Sequence, residues 1–429
     1  MDRRSNRRTF AAFLTDFVGY GIAMSAISMV TYLPLFLKTN GASTVVIGLV
    51  PAAFAVGRMT GLLAAPRLEC RALIQRWMVK TMVVERLPLC LCGVWIVLGP
   101  ANRPDTVVAG VLVLWVTYTL VNGWASAAWS AYVARALSVQ ERGQLHGLGN
   151  AFGALSSLAV VPLVRASIDR FGLSPGYGGA VALAGLLLAC CALVFLRAGE
   201  EPYAHVKARV GLGAYFRSMA PVLCGDRRFR WFLTVMTLWL VGTTGTAYFT
   251  VYAMDRFGAG PDDVMGYTIA MSLGAAVAGL AGGHVAARAG FCRVFAVGMG
   301  LTALSMLAAF LALRPWVVYP AFLLAGAGGT AAWMAVMNLP LELADRRDVP
   351  TYAAVAALVR GPAGALAPLA AGAYLERFPY PPLFLFCAGI SLRAVWLLAR
   401  HGGEPRRAAV PGPLPAVLGP LARTPGRVP

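Results

Sequence analysis

Gly57-Arg-Met-Thr-Gly61-Leu-Leu-Ala64-Ala65 and Gly279-Leu-Ala-Gly-Gly283-His-Val-Ala286-Ala287 carry one pattern, GxxxGxxAA, in opposite halves of the chain. A second pair repeats the arrangement. Ile168-Asp169-Arg170-Phe171 is followed by Pro175, and Leu375-Glu376-Arg377-Phe378 by Pro382, at a constant offset of 207. Each match is short. Together they put the same units in the same order twice, the mark of an internal repeat.

Each motif closes a long apolar run. Crossing the hydrocarbon core takes roughly 20 apolar residues, and twelve runs qualify: 10–37, 45–64, 77–99, 106–130, 144–168, 177–196, 230–254, 264–287, 291–313, 316–341, 351–375 and 380–399. Charged turns separate them, such as Lys38-Thr-Asn-Gly41 and Glu376-Arg-Phe-Pro379. In lipid every backbone polar group must be satisfied within the segment, so the runs are helices. The expected fold is an all-α membrane protein of twelve transmembrane helices in two six-helix pseudo-repeats. Residues 1–196 form the first bundle, 197–229 a cytoplasmic linker, 230–400 the second bundle, and 401–429 a disordered cytoplasmic tail.

Composition agrees. The 429 residues are 59% hydrophobic and 13% charged, with mean hydropathy +0.68. Soluble domains carry about 45–50% apolar and about 25% charged residues, which excludes a water-soluble enzyme. The net charge of +19 is spread singly among apolar segments, a pattern that suits anionic lipid rather than nucleic acid. The eight cysteines read as small apolar residues.

Basic residues orient the chain. Arg67, Arg71, Arg76, Lys80, Arg135, Arg142, Arg288, Arg293, Arg346 and Arg347 fall in alternate breaks, joined by Arg3, Arg4, Arg7 and Arg8 before the first run and by the linker. The opposite breaks hold Lys38, Arg103, Arg170, Arg256, Arg314 and Arg377, one each. The positive-inside rule then puts both termini in the cytoplasm, and the cell membrane is the expected location. The first run is too long for a signal peptide and reads as a span.

With six-plus-six in place, the chain resembles the major facilitator superfamily over nearly its whole length. The cytoplasmic turn after helix 8, Gly283-His-Val-Ala-Ala287-Arg288-Ala-Gly290-Phe-Cys-Arg293, is similar to the family's hallmark turn, with Ala287 where an Asp is expected. Gly61 and Arg67 form the weaker copy after helix 2. Glu141-Arg142-Gly143 and Asp348-Val-Pro350 are similar to its other turns. The resemblance implies a cavity lined by helices 1, 4, 7 and 10. It also implies gates on helices 2, 5, 8 and 11, where Gly57, Gly61, Gly279, Gly283, Gly361 and Pro362 would let backbones slide.

Cavity candidates are then Tyr20, Tyr118, Asn122, Trp124, Trp239, Thr243, Tyr248, Trp333 and Asn338. Trp115, Tyr32 and Tyr252 are expected instead in the interfacial belts. Ionisable residues at depth are expensive and therefore functional candidates. Asp16 lies among Phe13, Leu14, Phe17 and Val18 and is the first candidate for carrying a proton; Glu85 is the second. Arg58 and Glu85 reach similar depth on adjacent helices and are expected to pair. Arg360, beside Gly361-Pro362, can pair with an acid or hold an anion.

No GxxxxGK[ST] is present, so an ion gradient must supply the energy. The four histidines, His146, His205, His284 and His401, are scattered, which argues against an enzyme and against a bound metal or other cofactor. The expected activity is secondary transport of a small solute by a monomer using protons. Aromatic residues favour antiport export of an amphipathic or drug-like compound. Uptake of an organic anion or a sugar is the alternative, and a receptor or scaffold that moves nothing is the third reading.

Overall fold

A computed structural model describes residues 3–100, 102–203, 206, 211–343 and 349–401. Lys207, Arg209, Arg346, Arg347, Asp348 and the tail from 402 lie outside the described residues, as do the side chains of Arg3, Arg4 and Ala287. The described residues form helices and no strand.

Twelve spans are long and apolar enough to cross a membrane. In chain order, spans 1 to 6 are Arg7–Thr39, Thr44–Glu69, Gln75–Leu98, Pro104–Ala136, Gln144–Phe171 and Leu173–Arg197. Spans 7 to 12 are Arg227–Phe257, Pro261–Ala286, Phe291–Phe310, Pro315–Pro340, Ala354–Leu375 and Tyr380–His401. Helix Leu212–Gly225 lies between the halves in sequence. Asp226 caps span 7 through the Phe229 N–H, and Ser138 with Glu141 forms a reciprocal cap before span 5.

The repeat is visible in the packing. Span 2 lies on span 4 and span 3 on span 6; in the second half span 8 lies on span 10 and span 9 on span 12. Span 1 packs on span 5, and span 7 on span 11. The halves meet where span 2 crosses span 11 and span 5 crosses span 8.

Two spans read as continuous are broken, at matching places. Span 1 stops at Ile27 and resumes at Tyr32, with Ser28 at φ 40°. Span 7 passes through a tight turn, Thr244–Tyr248. A break frees backbone groups that lipid cannot satisfy, so other groups must. Thr250 Oγ1 of span 7 donates to Val30 O at 2.7 Å, and Thr268 Oγ1 of span 8 donates to Thr31 Oγ1 at 2.7 Å.

These bonds also tie one half to the other, at the end of the bundle opposite Arg7 and His401. Lys38 Nζ meets Asp255 at 3.0 Å, Arg165 Nε meets Asp262 at 2.7 Å, and Thr44 Oγ1 donates to Gly372 O at 2.7 Å. This far end is therefore closed. Near the other end Leu62 of span 2 joins an apolar cluster of the second half with Phe229, Met236 and Val355.

The glycine motifs work differently from the gating expectation. A Cβ on Gly57 would strike the Thr119 backbone, and one on Gly61 the Gly123 carbonyl at 2.7 Å. Both face span 4 within their own half. Gly283 has no neighbour near a built Cβ, and Gly279 meets Asn150 and Thr330 only at 4.0 Å. The second half makes its close crossing at Gly274, against Leu323, and at Gly326, against Met271. Gly361 does lie between the halves, against Met59. Pro362 is exposed. The three residues expected in interfacial belts are buried: Trp115 Nε1 donates to Val50 O at 3.0 Å, Tyr252 Oη to Ala312 O at 3.1 Å, and Tyr32 stacks on Tyr177.

Candidate functional site

Spans 1, 3 and 4 bring charged and polar side chains together inside the first half. Arg86 Nη2 donates to Asp16 Oδ1 at 2.5 Å, and Arg86 Nη1 donates to Leu188 O. Both side chains of the ion pair are nearly inaccessible, at 2% and 7%. Glu85, one residue earlier, turns to span 4 and accepts from Asn122 Nδ2 at 2.7 Å. Successive helical residues point about 100° apart, so Glu85 and Arg86 cannot serve one partner. Tyr20 and Tyr118 approach through their hydroxyls at 3.4 Å, beside this group.

The expected Arg58–Glu85 pair is not formed. Equal depth on neighbouring helices fixes height, while facing fixes the partner. Arg58 points out of its own half. Its Cζ lies 5.2 Å from the Trp333 ring centroid on span 10, and 5.8 Å from that of Phe54. Arg360 of span 11 reaches the same Trp333 ring, also at 5.2 Å. Arg58, Trp333 and Arg360 are all half-buried. Neither guanidinium has a hydrogen bond or an ion pair with a described residue.

The remaining candidates divide. Trp124 packs at a tilt against Trp77 of span 3 and takes Arg67 on its ring at 5.2 Å, so it packs within the first half. Trp239 packs edge-on against Phe295, and Tyr248 is buried with its Oη donating to Pro368 O at 2.5 Å. Both are wall residues. Thr243 and Asn338 are half-buried and bond back to their own helices, at Leu240 O and Met334 O. Arg288 and Arg293 are exposed, on either side of Gly290, whose φ of 85° makes the sharp turn between spans 8 and 9.

Sequence reading missed two residues at the turn between spans 2 and 3. Glu200 accepts the Ile74 and Gln75 N–H groups at 2.7 and 2.8 Å, capping span 3. Arg135 donates to Arg71 O and Leu68 O at 2.9 and 3.0 Å, closing span 2. An acid from beyond span 6 thus holds a turn whose own sequence lacks one. Nothing in the local sequence points to a partner so distant.

Arrangement and comparison agree. The second half matches the family model described as Major Facilitator Superfamily over residues 249–425. The xylose transporter XylE from E. coli, in a partially occluded inward-open conformation, superposes with TM-score 0.69 at 14% identity, covering 94% of this chain and 99% of that one. This chain has the major facilitator fold.

The nucleoside transporter NupG gives TM-score 0.64 at 14% identity over 94% of this chain and 99% of that one. The human organic anion transporter MFSD10 gives 0.63 at 15%, over 92% and 99%. No curated protein matches in sequence. A major facilitator fold with twelve apolar spans makes this a multi-pass membrane protein.

Proposed function

We propose that this protein is a proton-coupled secondary transporter of a small solute, working in the cell membrane by alternating access between its two halves. Both termini face the cytoplasm, because the basic loops gather at their end. The observation that carries the coupling is the division of labour between two acids. Asp16 is engaged by Arg86, whereas Glu85 accepts from a neutral amide. Glu85 can gain and lose a proton without leaving a guanidinium unpaired, so it replaces Asp16 as the proton carrier. Asp16 becomes the anchor of Arg86.

Uptake in symport with protons is better supported than export of an amphipathic compound. The export reading needs aromatic side chains on the cavity, and Trp124, Trp239 and Tyr248 are packed into the walls. A proton symporter for D-xylose shares the fold. Proteoliposomes holding a pH-sensitive dye test the reading, with xylose, uridine or benzoate added outside. One of these solutes is expected to acidify the lumen with the native protein. With Glu85→Gln acidification stops, while exchange of the labelled solute continues. Unchanged acidification by Glu85→Gln refutes the coupling.

A further inference from the structure

We infer that Arg58 and Arg360, with Trp333 between them, bind the anionic group of the transported solute, one guanidinium coming from each half. The inference rests on the transporter reading and names its substrate class: small organic carboxylates or phosphate esters.

The argument starts from cost. A guanidinium stays charged under all ordinary conditions, and a charge held inside a membrane protein is kept with a partner. Arg86 shows the rule in this molecule, with Asp16 at 2.5 Å and a carbonyl besides. Arg58 and Arg360 break it. Each has an aromatic ring as its close contact, and the ring is shared. Their Cζ atoms are therefore separated by at most twice the 5.2 Å that divides each from the ring centroid. At that separation the two like charges repel each other, and neither has a hydrogen bond or an ion pair with a described residue. Cation–π attraction returns less than the desolvation of two like charges costs. The missing partner is an anion.

Geometry narrows its class. Guanidinium forks match the planar oxygens of a carboxylate or the oxygens of a phosphate, two at a time. The paired hydroxyls of Tyr20 and Tyr118 lie on the Arg58 side of the site, where they can receive a polar substituent on the solute. Arg58 and Arg360 also flank a crossing of spans 2 and 11, where Gly361 lies against the Met59 side chain. Empty, the two like charges push the halves apart at this crossing. An anion shared between them draws the halves together, so occupancy and closure are linked through one ion.

The test uses the purified full-length chain in detergent at constant ionic strength. Benzoate and inorganic phosphate separate the two anion chemistries, and benzyl alcohol is the neutral control. At least one anion is expected to raise the unfolding temperature, and the alcohol is not. Arg58→Gln and Arg360→Gln each raise the half-saturating anion concentration about tenfold or more, the size of a lost hydrogen bond to a charged group. Their unliganded unfolding temperatures stay level or rise, because a repulsion has gone. Modification by phenylglyoxal keeps the idea testable if a variant fails to fold: in the native chain the effective anion should protect Arg58 and Arg360 while Arg288 reacts as before. No stabilisation by either anion, or equal stabilisation of both variants, overturns the site. Binding of anions without movement in proteoliposomes rejects the transporter reading and keeps the site. Movement of xylose or uridine, with no anion bound, does the reverse.

Discussion

Glu85 and Arg86 show how much one step along a helix decides. They are neighbours in sequence, yet one faces Asn122 on span 4 and the other Asp16 on span 1. The variants should therefore differ in kind. Asp16→Asn leaves Arg86 charged, buried and without its counterion. Breaking a buried pair from one side costs about 3–5 kcal/mol, a large share of the roughly 5–15 kcal/mol that holds a typical domain. Folded yield and unfolding temperature should both fall sharply. Glu85→Gln keeps an acceptor for the Asn122 amide and removes no ion pair, so its unfolding temperature should stay near that of the native chain. Differential scanning fluorimetry separates them; equal unfolding temperatures for Asp16→Asn and the native protein would show the ion pair contributes little. Sequence located Asp16 and Glu85 within their spans. It could not assign partners, because depth follows from counting residues along a helix while facing depends on how the helices are rotated against each other.

At the scale of elements, the spans were legible because each is a long apolar run between charged turns, and lipid leaves such a run no structure but a helix. The repeat was legible from its glycines. What the glycines touch was not, since a small residue permits a close crossing without naming the helix that crosses. Gly61 and Gly283 hold equivalent places in the motif and meet different surroundings: the carbonyl of Gly123 for one, open space for the other, and Gly57, one turn before Gly61, meets the backbone of Thr119. Gly57→Leu should separate spans 2 and 4 and reduce the monodisperse protein recovered by size-exclusion chromatography several-fold. Gly283→Leu should be recovered at the native level. A normal yield for Gly57→Leu would mean the crossing can open without loss of the fold. The breaks in spans 1 and 7 were hidden for another reason. Ser28 and the Thr-Gly-Thr around Gly245 look like ordinary small polar residues in a span, and at the break in span 1 the carbonyls of Ile27 and Val30 are taken up by Tyr177 and Thr250, which are distant in sequence.

For the whole molecule, the consequence lies in which end is tied. The threonine bonds, Lys38–Asp255 and Arg165–Asp262 all lie at the far end, so the structure is a far-end-closed state, and the proposed alternating access requires these links to part. Their strength must then be modest. Exposed ion pairs are worth about 0–1 kcal/mol each, and here at least one partner of each pair is well exposed, 37% for Asp255 and 76% for Asp262. Two such pairs bias the closed state without locking it. Replacing Asp255 and Asp262 together by Asn should shift the population towards far-end-open by up to about 2 kcal/mol, roughly thirtyfold. The shift can be read with a cysteine at Ala371, which is 6% exposed and adjoins the Gly372 carbonyl that holds Thr44. In a background lacking other reactive cysteines, a membrane-impermeant maleimide applied from the far side should label Ala371→Cys faster when the two aspartates are replaced. Adding an anion that bridges Arg58 and Arg360 should change the labelling rate in both backgrounds, because the centre of the molecule and its far end move as parts of one pair of halves. An unchanged rate after the double replacement would place the closing force in the apolar cluster to which both halves contribute, with Tyr32 and Ile47 from one and Tyr248 and Val251 from the other, instead of the ion pairs.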